Sequence, residues 1–284
     1  MKNLIIRALS GAVYVALIIG SILFGGKWGF PILCCVFTFL GIIEFQKMTR
    51  SDMHESPLLL LVDVVLGMSL LSLTAAIVFN HGIVAVLSVA LIAAMIPLRF
   101  VSQLYSHSKS PLHHMAISIM SIVYIALPMA AAIMVSGNKP LLLLMFAMIW
   151  LNDTGAYLVG CTIGSHRLFP RLSPKKSWEG FFGGMAFTIA AAYLAKTFLP
   201  NYFAEYNYIM LITFAVIVTI VSTWGDLFES MLKRNVGVKD SGNLIPGHGG
   251  ILDRIDSLLF VAPATYLFLS IVFFYFSVDF FYVN

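Results

Sequence analysis

The segment Trp224-Gly225-Asp226-Leu227-Phe228-Glu229-Ser230 closes a long apolar run with two carboxylates and a hydroxyl. Spacings of three and four residues let Asp226, Glu229 and Ser230 share one helical face, and Lys233 continues it one turn later. Beyond a glycine-rich stretch, Asp253 and Asp256 again stand three apart with Arg254 between them, and Leu258 opens the last apolar run. Carboxylates at the mouths of membrane helices are costly unless they are paired or bind a cation. Two chemistries fit. The acids could salt-bridge to Lys233, Arg234 and Arg254. Alternatively, Asp226 and Asp253, from opposite ends of the loop, could converge on Mg2+, which binds through one or two carboxylates plus phosphate oxygens.

Within that loop runs Pro246-Gly247-His248-Gly249-Gly250. Glycines allow a ligand to approach the backbone closely, and exposed N–H groups in such a run cradle phosphate. A plain glycine turn is the bland alternative. The flanking Lys239-Asp240 and Asp253-Arg254 favour a ligand, with Gly249 and Gly250 against it. No G-x-x-x-x-G-K-[ST] pattern occurs, so this is not a Walker A loop. His248 has no serine or cysteine partner for a nucleophile triad, and a hydrogen bond to phosphate is its expected role.

A second basic loop reads Ser165 to Gly180 and contains Ser173-Pro174-Lys175-Lys176. Serine followed by proline predicts a helix start, cap then first position. A helix N-terminus with two lysines is an anion site, or simply a capped helix with snorkelling lysines. Upstream, Asn152-Asp153-Thr154 interrupts an apolar run, and a mid-span aspartate such as Asp153 lines a polar cavity, for a cation or for the nucleotide. Acids for Mg2+, bases for several phosphates and glycines for close approach describe a membrane enzyme of phosphoryl or nucleotidyl transfer acting on a lipid.

These groups need elements to hold them, and the composition says which. Of 284 residues, 60% are hydrophobic and 11% charged, against about 25% charged in soluble domains. Recurrent long apolar runs predict an all-α, polytopic integral membrane bundle with a cytoplasmic N-terminus. About nine transmembrane helices are expected: Leu4–Phe24, Trp28–Ile43, Leu58–Phe79, Gly82–Phe100, Met115–Val135, Leu141–Val159, Phe181–Phe198, Ile209–Trp224 and Leu258–Val278. With the N-terminus cytoplasmic, fourteen of the seventeen Lys and Arg residues fall on that side, and only Lys27, Lys139 and Lys196 on the other. Both basic loops then share the cytoplasmic face. The chain reads as one membrane domain. Residues 1–140 carry no specific motif, and 141–284 form a catalytic half with cytoplasmic loops 160–180 and 225–257. No cleavage site follows the first run, so a retained first helix is expected. Cys34, Cys35 and Cys161 lie in or beside apolar segments without metal-ligand spacing. Glu44 is expected near the cytoplasmic end of its span, and Asp63 either pairs at a helix interface or has a function of its own.

The stretch from Ser230 to Asp256, S-M-L-K-R-N-V-G-V-K-D-S-G-N-L-I-P-G-H-G-G-I-L-D-R-I-D, closely resembles the signature of phosphatidate cytidylyltransferases, or CDP-diacylglycerol synthases. The segment Ser173 to Gly180 resembles a second motif of that family, as does Asp153 followed by Ala156-Tyr157 and Gly160. Cys161 and Ile163 depart from the arginine and phenylalanine usual there. The motif-bearing resemblance covers roughly the C-terminal half.

The resemblance implies that CTP and phosphatidate give CDP-diacylglycerol and pyrophosphate at the cytoplasmic face of a bacterial inner membrane. It implies Mg2+ on Asp226 and Asp253, with a second cation admitted nearby, and a homodimer. No nucleic acid is expected as a partner. The expected catalytic set is Asp226, Lys239, Asp240, His248, Asp253, Arg254 and Asp256. Substrate contacts are expected from Asp153, Ser173, Lys175, Lys176, Lys233, Arg234, Gly249 and Gly250. Rival readings are a transporter for a phosphorylated solute, though no repeat of the kind many transporters show is visible, and a CTP-dependent lipid kinase. A CDP-alcohol phosphotransferase is disfavoured because its D-G-x-x-A-R pattern is missing from the sequence.

Overall fold

A computed structural model describes residues 2–49, 57–106, 108, 110–244 and 249–276, without side-chain detail for 2–8 and 275–276. Among the described residues ten α-helices follow one another: α1 (Lys2–Leu23), α2 (Gly29–Thr49), α3 (Pro57–Val78), α4 (Gly82–Leu104), α5 (Pro111–Ser121), α6 (Leu127–Val135), α7 (Lys139–Ile163), α8 (Trp178–Phe198), α9 (Tyr208–Asn235) and α10 (Leu252–Phe276). A π-helical turn, Ile122–Ala126, joins α5 to α6 into one long rod. Eight described helices are long and apolar enough to cross a membrane, and α1 adds a shorter apolar stretch, Leu9–Leu23. The polytopic helical architecture is therefore as the apolar runs require.

Four spans outrun their expected ends: α4 and α7 by one turn each, and α2 and α9 by more. Helix α2 continues past Ile43 to Thr49, burying Glu44 and Gln46 on the way. Helix α9 continues past Trp224 to Asn235, so Asp226, Glu229, Ser230 and Lys233 all ride on it. Hydropathy alone ends a span at its first charge, whereas a helix ends only where its backbone hydrogen bonds stop.

Within the helical fold one short segment is extended, and it overturns the helix start expected at Ser173. Strands β1 (Arg167–Phe169) and β2 (Ser173–Ser177) form an antiparallel hairpin, pairing Arg167 with Ser177 and Phe169 with Ser173 across an irregularity in register. Ser173 is thus not a helix cap and Pro174 not a first helical residue. Helix α8 begins four residues later, where the side chain of Ser177 accepts from Gly180 N at 3.1 Å. Trp178 N donates to His166 O at 2.9 Å, extending the ladder to the helix start. The first turn of α8 carries Glu179 rather than lysines. Its carboxylate accepts from the backbone N–H groups of Ser165 and His166, each at 3.2 Å, and meets His166 Nδ1 at 2.6 Å. An acid there suits the positive end of the helix dipole.

The chain divides into two compact units. The first comprises residues 1–134 and 238–255, the second residues 135–237 and 256–284. In the first, α2 packs on α1, α3 and α5, and α3 on α4. Its interior holds a fully buried Asp63, whose Oδ1 takes Arg99 Nε at 3.0 Å and whose Oδ2 takes Gln46 Nε2 at 2.7 Å. Ser118 also donates to Asp63, and Arg99 Nη1 donates to Gln103 at 3.0 Å. Asp63 thus pairs at a helix interface. In the second unit α8 packs between α7 and α9, and Phe214 stacks on Phe268 with ring centres 5.0 Å apart, holding α10 to α9. The described thiols are all free.

Candidate active site

In the second unit the site begins with a close helix crossing. A Cβ on Gly225 would stand 2.6 Å from Asp256 O and 3.2 Å from Ser257 Cα, so only glycine lets α9 lie this close to α10. Asp226 follows directly on α9, and Asp256 faces that crossing from α10. Lys176, delivered by β2, places Nζ 2.6 Å from Asp226 Oδ2, and Ser230 Oγ donates to Asp226 Oδ1 at 3.3 Å. One turn on, Lys233 Nζ lies 2.7 Å from the buried Glu229. Ser257 N donates to Asp256 Oδ1 at 2.6 Å. Asp256 is within electrostatic reach of Asp226, Glu229 and Asp153. Asp153 is exposed on α7, beside the buried Asn152, whose Nδ2 is 3.4 Å from Ser222 Oγ. Asn152 Oδ1 is buried with no hydrogen-bond partner among the described residues.

The structure therefore gathers Asp153, Lys176, Asp226, Lys233 and Asp256 into one neighbourhood of the second unit. Ser173 sits half-buried at the start of β2, and Lys175 and Arg234 are exposed. Asp226 is salt-bridged, and the cation is Lys176 from the hairpin.

In the first unit Asp253 is the second residue of α10. Its Oδ2 accepts from Gly250 N at 2.8 Å, Ser241 N at 2.9 Å and Ser241 Oγ at 2.9 Å. Gly249 has φ +81°, a left-handed conformation that glycine adopts without strain. Arg254 is anchored at its carbonyl by Tyr14 OH at 2.8 Å, and its Nε is buried with no hydrogen-bond partner among the described residues. Lys239 and Asp240 are exposed. His248 lies outside the described residues. Sequence reasoning missed Glu44, a buried acid on α2 that meets Ser241 and the start of α10. The rule that singled out Asp153, a carboxylate inside an apolar span, would have found it too.

Mg2+ can be tested against these groups. Among the described residues, no three His, Cys, Asp or Glu side chains stand together as a ready-made metal cluster. That is no obstacle to Mg2+, which takes one or two carboxylates and fills its shell with water and phosphate oxygens. The carboxylates near one another in the second unit, Asp226, Glu229, Asp153 and Asp256, are hard oxygen donors of the kind a divalent cation such as Mg2+ takes.

Fold and side chains together define a class: a polytopic helical membrane protein that carries acids, lysines and glycines at its helix ends. The chain belongs to the Cytidylyltransferase family, whose pattern it matches over residues 5–272. It is similar to proteins named phosphatidate cytidylyltransferase. The one from Bacillus subtilis is 47% identical over 126 residues, 44% of this chain and 45% of that protein. The one from Thermotoga maritima is 46% identical over 133 residues, 46% of this chain and 49% of that protein. The one from Staphylococcus epidermidis is 44% identical over 122 residues, 43% of this chain and 46% of that protein. The aligned stretch spans about half the length of each relative.

Proposed function

We propose that this protein transfers the cytidylyl group of CTP to phosphatidate, giving CDP-diacylglycerol and pyrophosphate in phospholipid synthesis. The observation that carries the reading is Lys176 on Asp226 beside Asp256, in a family whose named relatives do this chemistry. A phosphate oxygen of phosphatidate attacks the α-phosphorus of CTP, a new P–O–P link forms, and the bond to the β-phosphate breaks in line. The nucleophile is already an anion, so no dedicated general base is needed. The protein's work is positioning and charge neutralisation. As the motif resemblance implies, Asp226 and Asp253 would hold Mg2+, with Asp256 completing its shell or orienting Arg254. Bound there, the metal would neutralise charge on the CTP phosphates and the departing pyrophosphate. Lys176 exchanges Asp226 for a substrate phosphate, and Lys175, Lys233, Arg234 and Lys239 add positive charge for the remaining oxygens. Arg254 offers its unsatisfied Nε–H to a phosphate, and Gly249 and Gly250 let the nucleotide approach. This reading places the site at the cytoplasmic face of the inner membrane of a bacterium, in a homodimer.

The test is purified protein with phosphatidate, Mg2+ and CTP labelled at the α-phosphate. Label entering the lipid, with one pyrophosphate released per lipid made, is the expected result. Label passing to lipid only from γ-labelled CTP would replace the reading with a lipid kinase. Uptake of a phosphorylated solute into liposomes without CTP turnover would replace it with a transporter.

A further inference from the structure

Glu44 is separated by about two hundred residues from everything its carboxylate touches. It lies on α2 and is 8% exposed. Its Oε2 accepts from Ile251 N at 2.9 Å, its Oε1 from Leu252 N at 3.1 Å, and Ser241 Oγ donates to the same Oε1. The N–H groups of Ile251 and Leu252 open α10 and have no acceptor within the helix. A helix start normally finds one in its own N-cap side chain, but the residue preceding Leu252 is isoleucine, which has none. Glu44 supplies the acceptor from another helix.

The loop is shaped around that carboxylate. A Cβ on Gly250 would collide with Glu44 Oε1, and one on Gly242 would stand 2.8 Å from Oε2. Ser241 stands between Glu44 and Asp253: its hydroxyl lies within reach of both, and its N–H is held by Asp253 Oδ2 at 2.9 Å. The hydroxyl has one proton and can donate to one of the two at a time. Burying a carboxylate is expensive, and a serine or asparagine cap would close the helix more cheaply. What Glu44 adds is a fixed path from α2 through Ser241 to Asp253.

We propose that Glu44 is a positioning residue for nucleotidyl transfer: through Ser241 and the first N–H groups of α10 it sets the orientation of Asp253. The inference rests on the cytidylyl-transfer reading and on Asp253 as a metal carboxylate. Groups that orient metal ligands typically change metal affinity or activity by about 10–100-fold when altered.

The experiment compares wild type, Glu44→Gln and Ser241→Ala in detergent. Three quantities are read: melting temperature, kcat and KM for CTP, and Mn2+ binding by electron paramagnetic resonance without substrate. Glu44→Gln turns one acceptor oxygen into a donor amide facing N–H groups. Ser241→Ala keeps the Ile251 and Leu252 N–H bonds to Glu44 and the Ser241 N–H bond to Asp253, and removes only the hydroxyl that joins the two carboxylates. The expected result is about a tenfold weaker Mn2+ affinity and a similar fall in kcat for each folded variant, with KM for CTP unchanged. Wild-type Mn2+ affinity and kcat in Ser241→Ala would overturn the proposal, whether or not Glu44→Gln folds. Should wild-type protein itself label no lipid, the cytidylyl-transfer reading falls; should it label lipid and both variants match it, only the role of Glu44 falls.

Discussion

Asp63 and Arg99 in the first unit, and Asp226 and Lys176 in the second, are both carboxylate–cation pairs at hydrogen-bond distance, 3.0 and 2.6 Å. Their surroundings differ. The Asp63 and Arg99 side chains are 0% and 6% exposed, and Gln46, Ser118 and Gln103 bond to them as well. The Asp226 and Lys176 side chains are 37% and 26% exposed, and Ser230, at 3.3 Å, is a weak third member. A fully enclosed pair has already exchanged its water for protein partners, and breaking it leaves a buried charge. A half-open pair on a hairpin can trade one partner for a substrate oxygen at little cost. The first pair holds helices together; the second is available for chemistry.

Removing Asp226 should have the largest effect. Asp226→Ala is expected to abolish label transfer from CTP to lipid while its melting temperature in detergent stays near wild type. Full turnover in that variant would remove the distinction between the two pairs. Asp63→Ala should do the reverse. With Arg99 left buried and uncompensated, the folded state should lose about 3–5 kcal/mol, read from thermal or denaturant unfolding in detergent. A variant as stable as wild type would show that Arg99 finds water or another acceptor.

Lys176→Met should fall between them. Turnover is expected to drop about tenfold, as for groups that orient metal ligands, with stability changed by less than about 1 kcal/mol. The smallest effect is at the hairpin itself. Ser177→Ala should cost about 1 kcal/mol by removing the cap of α8, whereas Ser173→Ala should stay within about 0.5 kcal/mol. A larger cost at Ser173 than at Ser177 would restore the helix start expected from the Ser-Pro pair and take Lys176 off the strand that presents it.

The membrane helices were legible because an apolar run long enough to cross a bilayer carries its own signature. The break between the third and fourth spans was legible as well: α3 ends at Val78, α4 begins at Gly82, and Asn80 takes φ 57° between them. The grouping of Asp226, Glu229, Ser230 and Lys233 followed from helical spacing, and α9 carries them together. The hairpin was not legible. Its pairing joins residues with no shared period, and Ser-Pro looks the same before a helix as inside a short strand where the proline donates nothing to the ladder. Nor was the partner of Asp226 readable, because Lys176 reaches it from β2, fifty residues earlier in the chain. The role of Glu44 was hidden for the same reason: spacing along α2 says nothing of Ser241 or Ile251.

The order of synthesis gives that separation a further meaning. Ser241 leaves the ribosome 197 residues after Glu44. At about 5–20 residues per second, the carboxylate waits roughly ten to forty seconds for its donors. During that interval α2 enters the bilayer with an unpaired acid, and the first unit lacks residues 238–255, which complete it. Its assembly therefore finishes only after α7, α8 and α9 have been made, so a nascent chain cut short before Ser241 carries an open first unit with Glu44 uncapped.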